Sequence, residues 1–166
     1  MQVLEERIYD RMTVDWLTPS QRSGWAWLQR FDGPPHRVVN IYGVEGSGKT
    51  FLGRLLARIH HSSYRIWPDT RSPSLPRMTI DDIVPDRTTT RSVRPLVDKY
   101  RIQQIILLSR ARVDERAMPA FELQITEEDW ERFAANLFKY LQIVVPEIEY
   151  RNYKMAVEAV AKEEKL

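Results

Sequence analysis

Short apolar runs alternate with amphipathic segments along most of the chain. Runs with strand character cover residues 36–42, 63–67, 78–84, 104–109 and 120–125. Helical spacing of apolar residues marks 19–31, 50–60, 88–101, a segment capped by Thr126 and closed by Pro146, and 147–164. Because helices separate most of the strands, the pattern predicts an α/β domain around a mostly parallel sheet.

Three segments fit this pattern less well. Residues 1–18 are polar and weakly patterned, so we expect a strand or loop there. Pro95 falls inside the predicted helix 88–101, and proline is tolerated best in a first turn, so we expect Pro95 to lie in the first turn of that helix. Prolines at 68, 73 and 76 exclude a long helix from residues 62–86.

Composition narrows the class of protein. The chain has 166 residues, of which 43% are hydrophobic and 29% charged, with a net charge of +2. It lacks cysteine, which excludes disulfides, thiolate metal sites and a cysteine nucleophile. The charged start and the absence of a long apolar run predict a cytoplasmic protein. We expect one compact unit with an N-terminal segment (1–35), a core (36–125) and a C-terminal helical segment (126–166).

One motif carries most of the chemical information. Residues Gly43–Thr50 match G-x-x-x-x-G-K-[ST], with a predicted strand before them and a predicted helix after them. Such a loop wraps its N–H groups around a polyphosphate, and Lys49 would add charge to the terminal phosphates. The Thr50 hydroxyl is a candidate Mg²⁺ ligand. The predicted nucleotide-binding residues are Gly43, Glu45, Gly46, Ser47, Gly48, Lys49, Thr50 and Phe51.

Polar residues at two other strand ends are candidates for the same site. Asp81 would hold the metal and Asp82 would orient or activate the attacking water; an exposed Asx turn at a strand end is the alternative explanation of the pair. Asp69 is a rival carboxylate. Ser109 and Arg110 follow the best strand and would contact the γ-phosphate, unless they are only a strand terminus with a solvated arginine.

The motifs described above, and their order along the chain, resemble those of a known protein family. Gly43–Thr50 looks like a Walker A motif, 80–83 resembles a Walker B motif, and 105–110 is similar to a sensor-1 strand. That order is typical of AAA+ and STAND ATPases. The resemblance implies a three-layer P-loop NTPase core with a short, partial lid, which binds ATP and Mg²⁺. It also implies hydrolysis in which Lys49, Asp82, Ser109 and Arg110 take part, with a partner or second subunit as an expected requirement.

Charge is distributed unevenly over the second half of the chain. Residues 87–116 hold eight basic and three acidic side chains, whereas 117–150 hold two basic and seven acidic ones. The asymmetry fits head-to-tail assembly that brings an arginine to a neighbouring subunit's nucleotide, a groove for nucleic acid, or an ordinary solvated surface. Candidates for the trans arginine are Arg91, Arg94, Arg112 and Arg116.

Three functional hypotheses follow. The first is an ATP-binding switch or motor subunit that acts on a partner protein or a nucleic-acid complex. The second is a small-molecule kinase for a nucleoside or nucleotide, with Asp69 and Arg71 as weak candidates for the acceptor site. The third is a non-enzymatic nucleotide-binding adaptor. No guanine-reading motif is visible in the sequence, so ATP is the expected nucleotide.

Overall fold

In the part of the chain that the structure describes, five parallel strands form one sheet in the order β2-β3-β4-β1-β5. The structure, a computed structural model, describes residues 2–31, 37–71, 73–115, 117–148 and 151–163. The strands are β1 (Val38–Tyr42), β2 (Ser62–Ile66), β3 (Arg77–Ile83), β4 (Gln104–Ser109) and β5 (Ala120–Glu122). All six residues of the central strand β4 are buried, as its continuous apolar run predicts.

Within the described ranges, six α-helices surround the sheet. They are α1 (Gln2–Arg11), α2 (Pro19–Leu28), α3 (Lys49–Ile59), α4 (Arg87–Lys99), α5 (Glu127–Leu141) and α6 (Tyr153–Glu163). The prediction of an α/β domain with a parallel sheet is therefore confirmed. No helix lies among the described residues between β2 and β3, in agreement with the prolines there.

Helix α1 corrects the expectation of a strand or loop at the N-terminus. Leu4 and Ile8 lie one turn apart and are both buried, whereas charged residues occupy most of the other positions. This apolar stripe is too narrow to stand out in the sequence. Its two side chains are buried because they pack in a cluster with residues of α5 and α6, including Leu137 and Val160.

Helix α4 corrects a second expectation. It begins at Arg87, where the Asp86 carboxylate accepts a 2.7 Å hydrogen bond from the Thr89 N–H, so Pro95 lies in its third turn. Proline has no N–H to donate to the Arg91 carbonyl, four residues earlier. Both residues are exposed, so water can hydrate that carbonyl and the helix continues to Lys99.

Hydrophobic clusters cover the two faces of the sheet. One cluster packs α4 residues such as Val93 against Ile80 and Leu107, and the other packs α3 residues such as Leu52 against Ile41. The third cluster, of α1, α5 and α6, also packs against Phe51 in the first turn of α3. None of the helices that the structure describes is long and apolar enough to span a membrane.

Candidate nucleotide-binding site

The phosphate loop, residues 43–48, connects β1 to the first residue of α3. Gly46 and Gly48 have φ angles of +78° and +85°, in the region that side chains with a Cβ atom rarely adopt. Gly48 is the N-cap of α3, so the loop delivers the unpaired N–H groups of that helix to its concave side. The strand–loop–helix arrangement predicted around this motif is confirmed.

Lys49 lies inside the curve of its own loop. It is 8% exposed, and its ammonium group donates to the carbonyl oxygens of Gly43 at 2.7 Å and Val44 at 2.8 Å, and to the Ser47 hydroxyl at 3.2 Å. Burial lowers the pKa of Lys49 from its ordinary value. A phosphate is a stronger acceptor than a neutral carbonyl, so this ammonium is well placed to exchange partners with one.

The Thr50 hydroxyl meets the Asp81 carboxylate. It donates a 2.8 Å hydrogen bond to Asp81 Oδ2, and Asp81 Oδ1 accepts from the Asp82 N–H at 2.8 Å. Asp81 is 8% exposed. A hydroxyl and a carboxylate are oxygen ligands of the kind that Mg²⁺ prefers, so these residues fit the metal that the fold implies. Among the described residues, no group of three or more histidine, cysteine and acidic side chains could hold a metal ion. Phosphate oxygens and water would complete the coordination of Mg²⁺ at Thr50 and Asp81.

A β-bulge separates the two acidic side chains. Ile80 pairs with Leu107 and Ile83 with Ser109, so β3 holds one more residue than β4 over this stretch. Asp82 has a φ of +58° and an exposed side chain, whereas Asp81 is buried. The bulge thus gives adjacent acids different environments, which the sequence alone does not reveal.

Ser109 and Arg110 lie at the carboxyl end of β4. The Ser109 hydroxyl donates to the Ala111 carbonyl at 2.6 Å and accepts from Asn40 Nδ2 at 2.9 Å, and the residue is 1% exposed. The Arg110 guanidinium is 68% exposed and lies 3.3 Å from the Glu45 carboxylate. Both line the cavity described below. The Ser109 hydroxyl already has two partners, and sequence reasoning missed Asn40, which supplies one of them.

Helix α6 and the residue before it, Asn152, contact the phosphate loop. The Tyr153 N–H donates to the Gly46 carbonyl at 3.1 Å, and Asn152 Nδ2 donates to the Glu45 carbonyl at 2.8 Å. The Lys154 ammonium bonds the Glu45 carboxylate at 2.6 Å. This hydrogen bond from Lys154, together with the nearby Arg110 charge, lowers the pKa of Glu45. These contacts join residues more than 100 positions apart, and the sequence carries no signal for them.

A cavity of about 380 Å³ opens above the loop. Its apolar wall includes Ile8, Trp16 and Phe133, which come from three different segments. Most of the predicted site residues line it together, namely Glu45, Gly46, Gly48, Lys49, Thr50, Phe51, Asp81, Asp82, Ser109 and Arg110. Gly43 and the buried Ser47 lie behind this lining, where both accept hydrogen bonds from Lys49.

Asp69, the rival carboxylate, does not line this cavity. It accepts hydrogen bonds from the exposed Arg71 side chain at 2.8 and 2.9 Å. The two residues predicted for a kinase acceptor site therefore pair with each other, away from the phosphate loop.

Comparison with known proteins supports the assignment of the fold. No protein-family model matches the chain, and no curated protein sequence matches it. Among solved structures, a replication initiator DnaA bound to AMPPCP and single-stranded DNA is similar, with a TM-score of 0.64 and 16% identity. Domain III of DnaA from Thermotoga maritima gives a TM-score of 0.61 at 15% identity, as does AMPPCP-bound DnaA from Aquifex aeolicus.

The chain has the fold of a P-loop AAA+ NTPase. This match confirms the fold predicted from the resemblance, with its parallel sheet and flanking helices. The alignment covers 90% of this chain and 62% of the AMPPCP- and DNA-bound structure, so the chain spans less than two thirds of that protein. It covers 92% of this chain and 88% of the isolated Thermotoga domain. The similarity therefore spans almost the whole of this chain and most of that isolated domain.

Proposed function

We propose that this protein binds ATP with Mg²⁺ at the phosphate loop and is an ATPase of the AAA+/STAND type. In this proposal it acts as a nucleotide-dependent switch or motor subunit for a partner protein or a nucleic-acid complex. The observation that carries the proposal is the 2.8 Å contact between Thr50 and Asp81 beside the buried Lys49. It combines phosphate-binding and metal-binding groups at one wall of one cavity.

Each residue has a distinct role in this proposal. Lys49 and the N–H groups of the loop hold the phosphates, and Thr50 and Asp81 hold the metal. Held by these two side chains, Mg²⁺ would supply positive charge that offsets the negative charge developing on the phosphate. Asp82, exposed to the cavity, orients the attacking water, and Arg110 reaches the terminal phosphate when it leaves Glu45. Ser109 fixes the end of β4 beside that phosphate.

The similar structures support the choice of ligand and one class of partner. Two of them are DnaA proteins bound to AMPPCP, an ATP analogue, and one of these also holds single-stranded DNA. We extend ATP binding to this chain on the strength of its own loop and acidic pair. Of the two partner proposals, binding of nucleic acid has two supports. They are the similar structure that holds single-stranded DNA and the basic segment 87–116.

Assembly would supply an arginine from a second subunit. Within the basic segment, Arg87 pairs with Asp114 and Arg94 pairs with Glu115. Arg91 and Arg112 are exposed and make no ion pair within the described part of the chain, which favours them as trans residues. Arg116 lies outside the described residues. The acidic segment 117–150 would receive the basic face of the neighbour.

Phosphate release from ATP, measured over a range of protein concentrations, tests this function. We expect turnover per subunit to rise with concentration, because each site needs its neighbour. An Asp82→Asn variant should bind ATP like the parent but release little phosphate, since the water loses its orienting carboxylate. An Asp69→Asn variant is the matched control and should retain turnover. Absence of turnover under all conditions, with ATP bound, would favour the non-enzymatic adaptor.

The small-molecule kinase is the other candidate function. Asp69 and Arg71 pair outside the cavity, so the acceptor site that they would form has no structural support. Phosphate release in the absence of an acceptor would exclude this function, whereas ATP consumption only on addition of a nucleoside would support it.

A further inference from the structure

The metal-binding acid Asp81 has a third hydrogen-bond donor that the roles above do not use. The Tyr64 hydroxyl donates to Asp81 Oδ2, the same oxygen that accepts from Thr50. Tyr64 faces Thr79 in the parallel pairing of β2 and β3, and Asp81 lies two residues further along β3. Residues two apart in a strand share a face of the sheet, so this contact follows from the register.

The ring of Tyr64 is held in place from the side of α3. The Arg54 guanidinium lies 5.2 Å from the centre of the Tyr64 ring and 4.3 Å from the centre of the Tyr9 ring. Arg54 is one helical turn after Thr50, so the helix that carries the metal-binding hydroxyl also fixes the phenol. Helix α1 completes the stack through Tyr9. The phenol therefore approaches Asp81 with its ring already restrained.

We propose that Tyr64 is a positioning residue that orients the Asp81 carboxylate for Mg²⁺. This inference rests on the proposed ATP-binding function. With Tyr64 and Thr50 on Oδ2 and the Asp82 N–H on Oδ1, the carboxylate cannot rotate without losing a hydrogen bond. The Thr50 hydroxyl donates its hydrogen to Asp81, so the lone pairs of the Thr50 oxygen are free for a cation. Mutation of a residue that hydrogen-bonds to a metal ligand, without touching the metal itself, typically lowers metal affinity about 10–100-fold.

The test is a Tyr64→Phe variant, which removes the hydroxyl and keeps the ring against Arg54. Binding of a fluorescent ATP analogue is measured in EDTA and then over a Mg²⁺ titration. We expect affinity in EDTA to match the parent and the Mg²⁺ concentration for half-maximal response to rise about tenfold. Tyr100→Phe is the matched control, because Tyr100 packs against the core cluster that contains Val93 of α4 and does not line the cavity. The Mg²⁺ response of this variant should not change.

A Mg²⁺ response equal to the parent's would overturn the inference. An equal loss of affinity in EDTA and in Mg²⁺ would also overturn it, because it would show a general structural role. A second measurement places Tyr64→Phe in an Asp81→Asn background, where we expect no further change, since Tyr64 acts through Asp81. A parent protein that binds no ATP at all would instead contradict the proposed function, so the two failures are distinguishable.

Discussion

The Thr50 hydroxyl and the Asp81 carboxylate lie 2.8 Å apart although 31 residues separate them in the chain. Thr50 is in the first turn of α3, which follows β1, and Asp81 is in β3. Strand β4 lies between β1 and β3, so the start of α3 and the end of β3 come within reach of each other at the carboxyl ends of the strands. In parallel sheets, ligands bind outside the carboxyl ends of the strands, and this pair occupies that position.

Substitution of Asp81 should separate metal binding from phosphate binding. An Asp81→Asn variant keeps the side-chain shape but removes the charge that attracts Mg²⁺. We expect ATP affinity in EDTA to be retained, and the additional affinity gained with Mg²⁺ to fall about 10–100-fold. Calorimetric titration with and without Mg²⁺ measures both values. A variant that keeps the parent's Mg²⁺ response would assign the metal to another residue.

A Cβ atom at Gly46 should disturb both the phosphate loop and the helix that covers it. The φ of +78° is unfavourable for a residue with a side chain, and an added Cβ would collide with the Asn152 side-chain oxygen. We expect Gly46→Ala to lower the free energy of unfolding by about 1–2 kcal/mol from the backbone conformation alone. Urea unfolding measures the change.

The contact with Asn152 can be tested separately in the same experiment. Asn152→Ala removes the colliding atom but leaves the φ angle of Gly46 unchanged. The double variant should therefore lose less stability than the sum of the two single variants. Strict additivity would show that the side chain of Asn152 moves away at no cost.

The buried Asp129 should make stability depend on pH. It accepts hydrogen bonds from the N–H and hydroxyl groups of both Ser20 and Thr126, and so joins the first turns of α2 and α5. Burial alone would raise the pKa of Asp129, but the hydrogen bonds from Ser20 and Thr126 outweigh it and the pKa is lowered. The stabilisation is thus present above the unfolded-state pKa of about 4 and is lost as pH falls through the lower folded-state value.

An Asp129→Asn variant measures this contribution. We expect a loss of about 1.5–3 kcal/mol in unfolding free energy at pH 7, the range for hydrogen bonds to charged groups. The difference from the parent should shrink as pH falls below about 4, where Asp129 of the unfolded parent becomes protonated first, and should be smallest below the lower folded-state pKa. The exposed neighbour Glu128 provides the control, since Glu128→Gln should change stability little at either pH. A difference that does not depend on pH would contradict this explanation.

Local patterns in the sequence account for most of the fold. The continuous apolar run of β4 and the capping sequence at Thr126 each specify their own element, because neighbouring residues alone satisfy their requirements. The phosphate loop is equally local, since its glycines and Lys49 act within eight residues. Helix α1 is different, because only packing against α5 and α6 makes its narrow apolar stripe stable.

The parts of the site that the sequence could not predict depend on tertiary contacts. Tyr64 reaches Asp81 only through the register of β2 and β3, and Asn152 reaches the phosphate loop from the other end of the chain. The bulge that separates Asp81 from Asp82 exists only in the pairing of β3 with β4. Pairing registers and docking contacts of this kind leave no periodic signal in a single sequence.

The most direct test of ATP binding compares the parent with a Lys49→Ala variant by calorimetric titration in Mg²⁺. The exposed Lys162 supplies the control variant Lys162→Ala, and circular dichroism checks that each protein is folded. We expect the parent and the control to bind one ATP per chain with equal affinity, and Lys49→Ala to bind at least about tenfold more weakly, because a charged hydrogen bond to phosphate is lost. Equal affinity in all three proteins, or no binding in the folded parent, would contradict nucleotide binding at the phosphate loop.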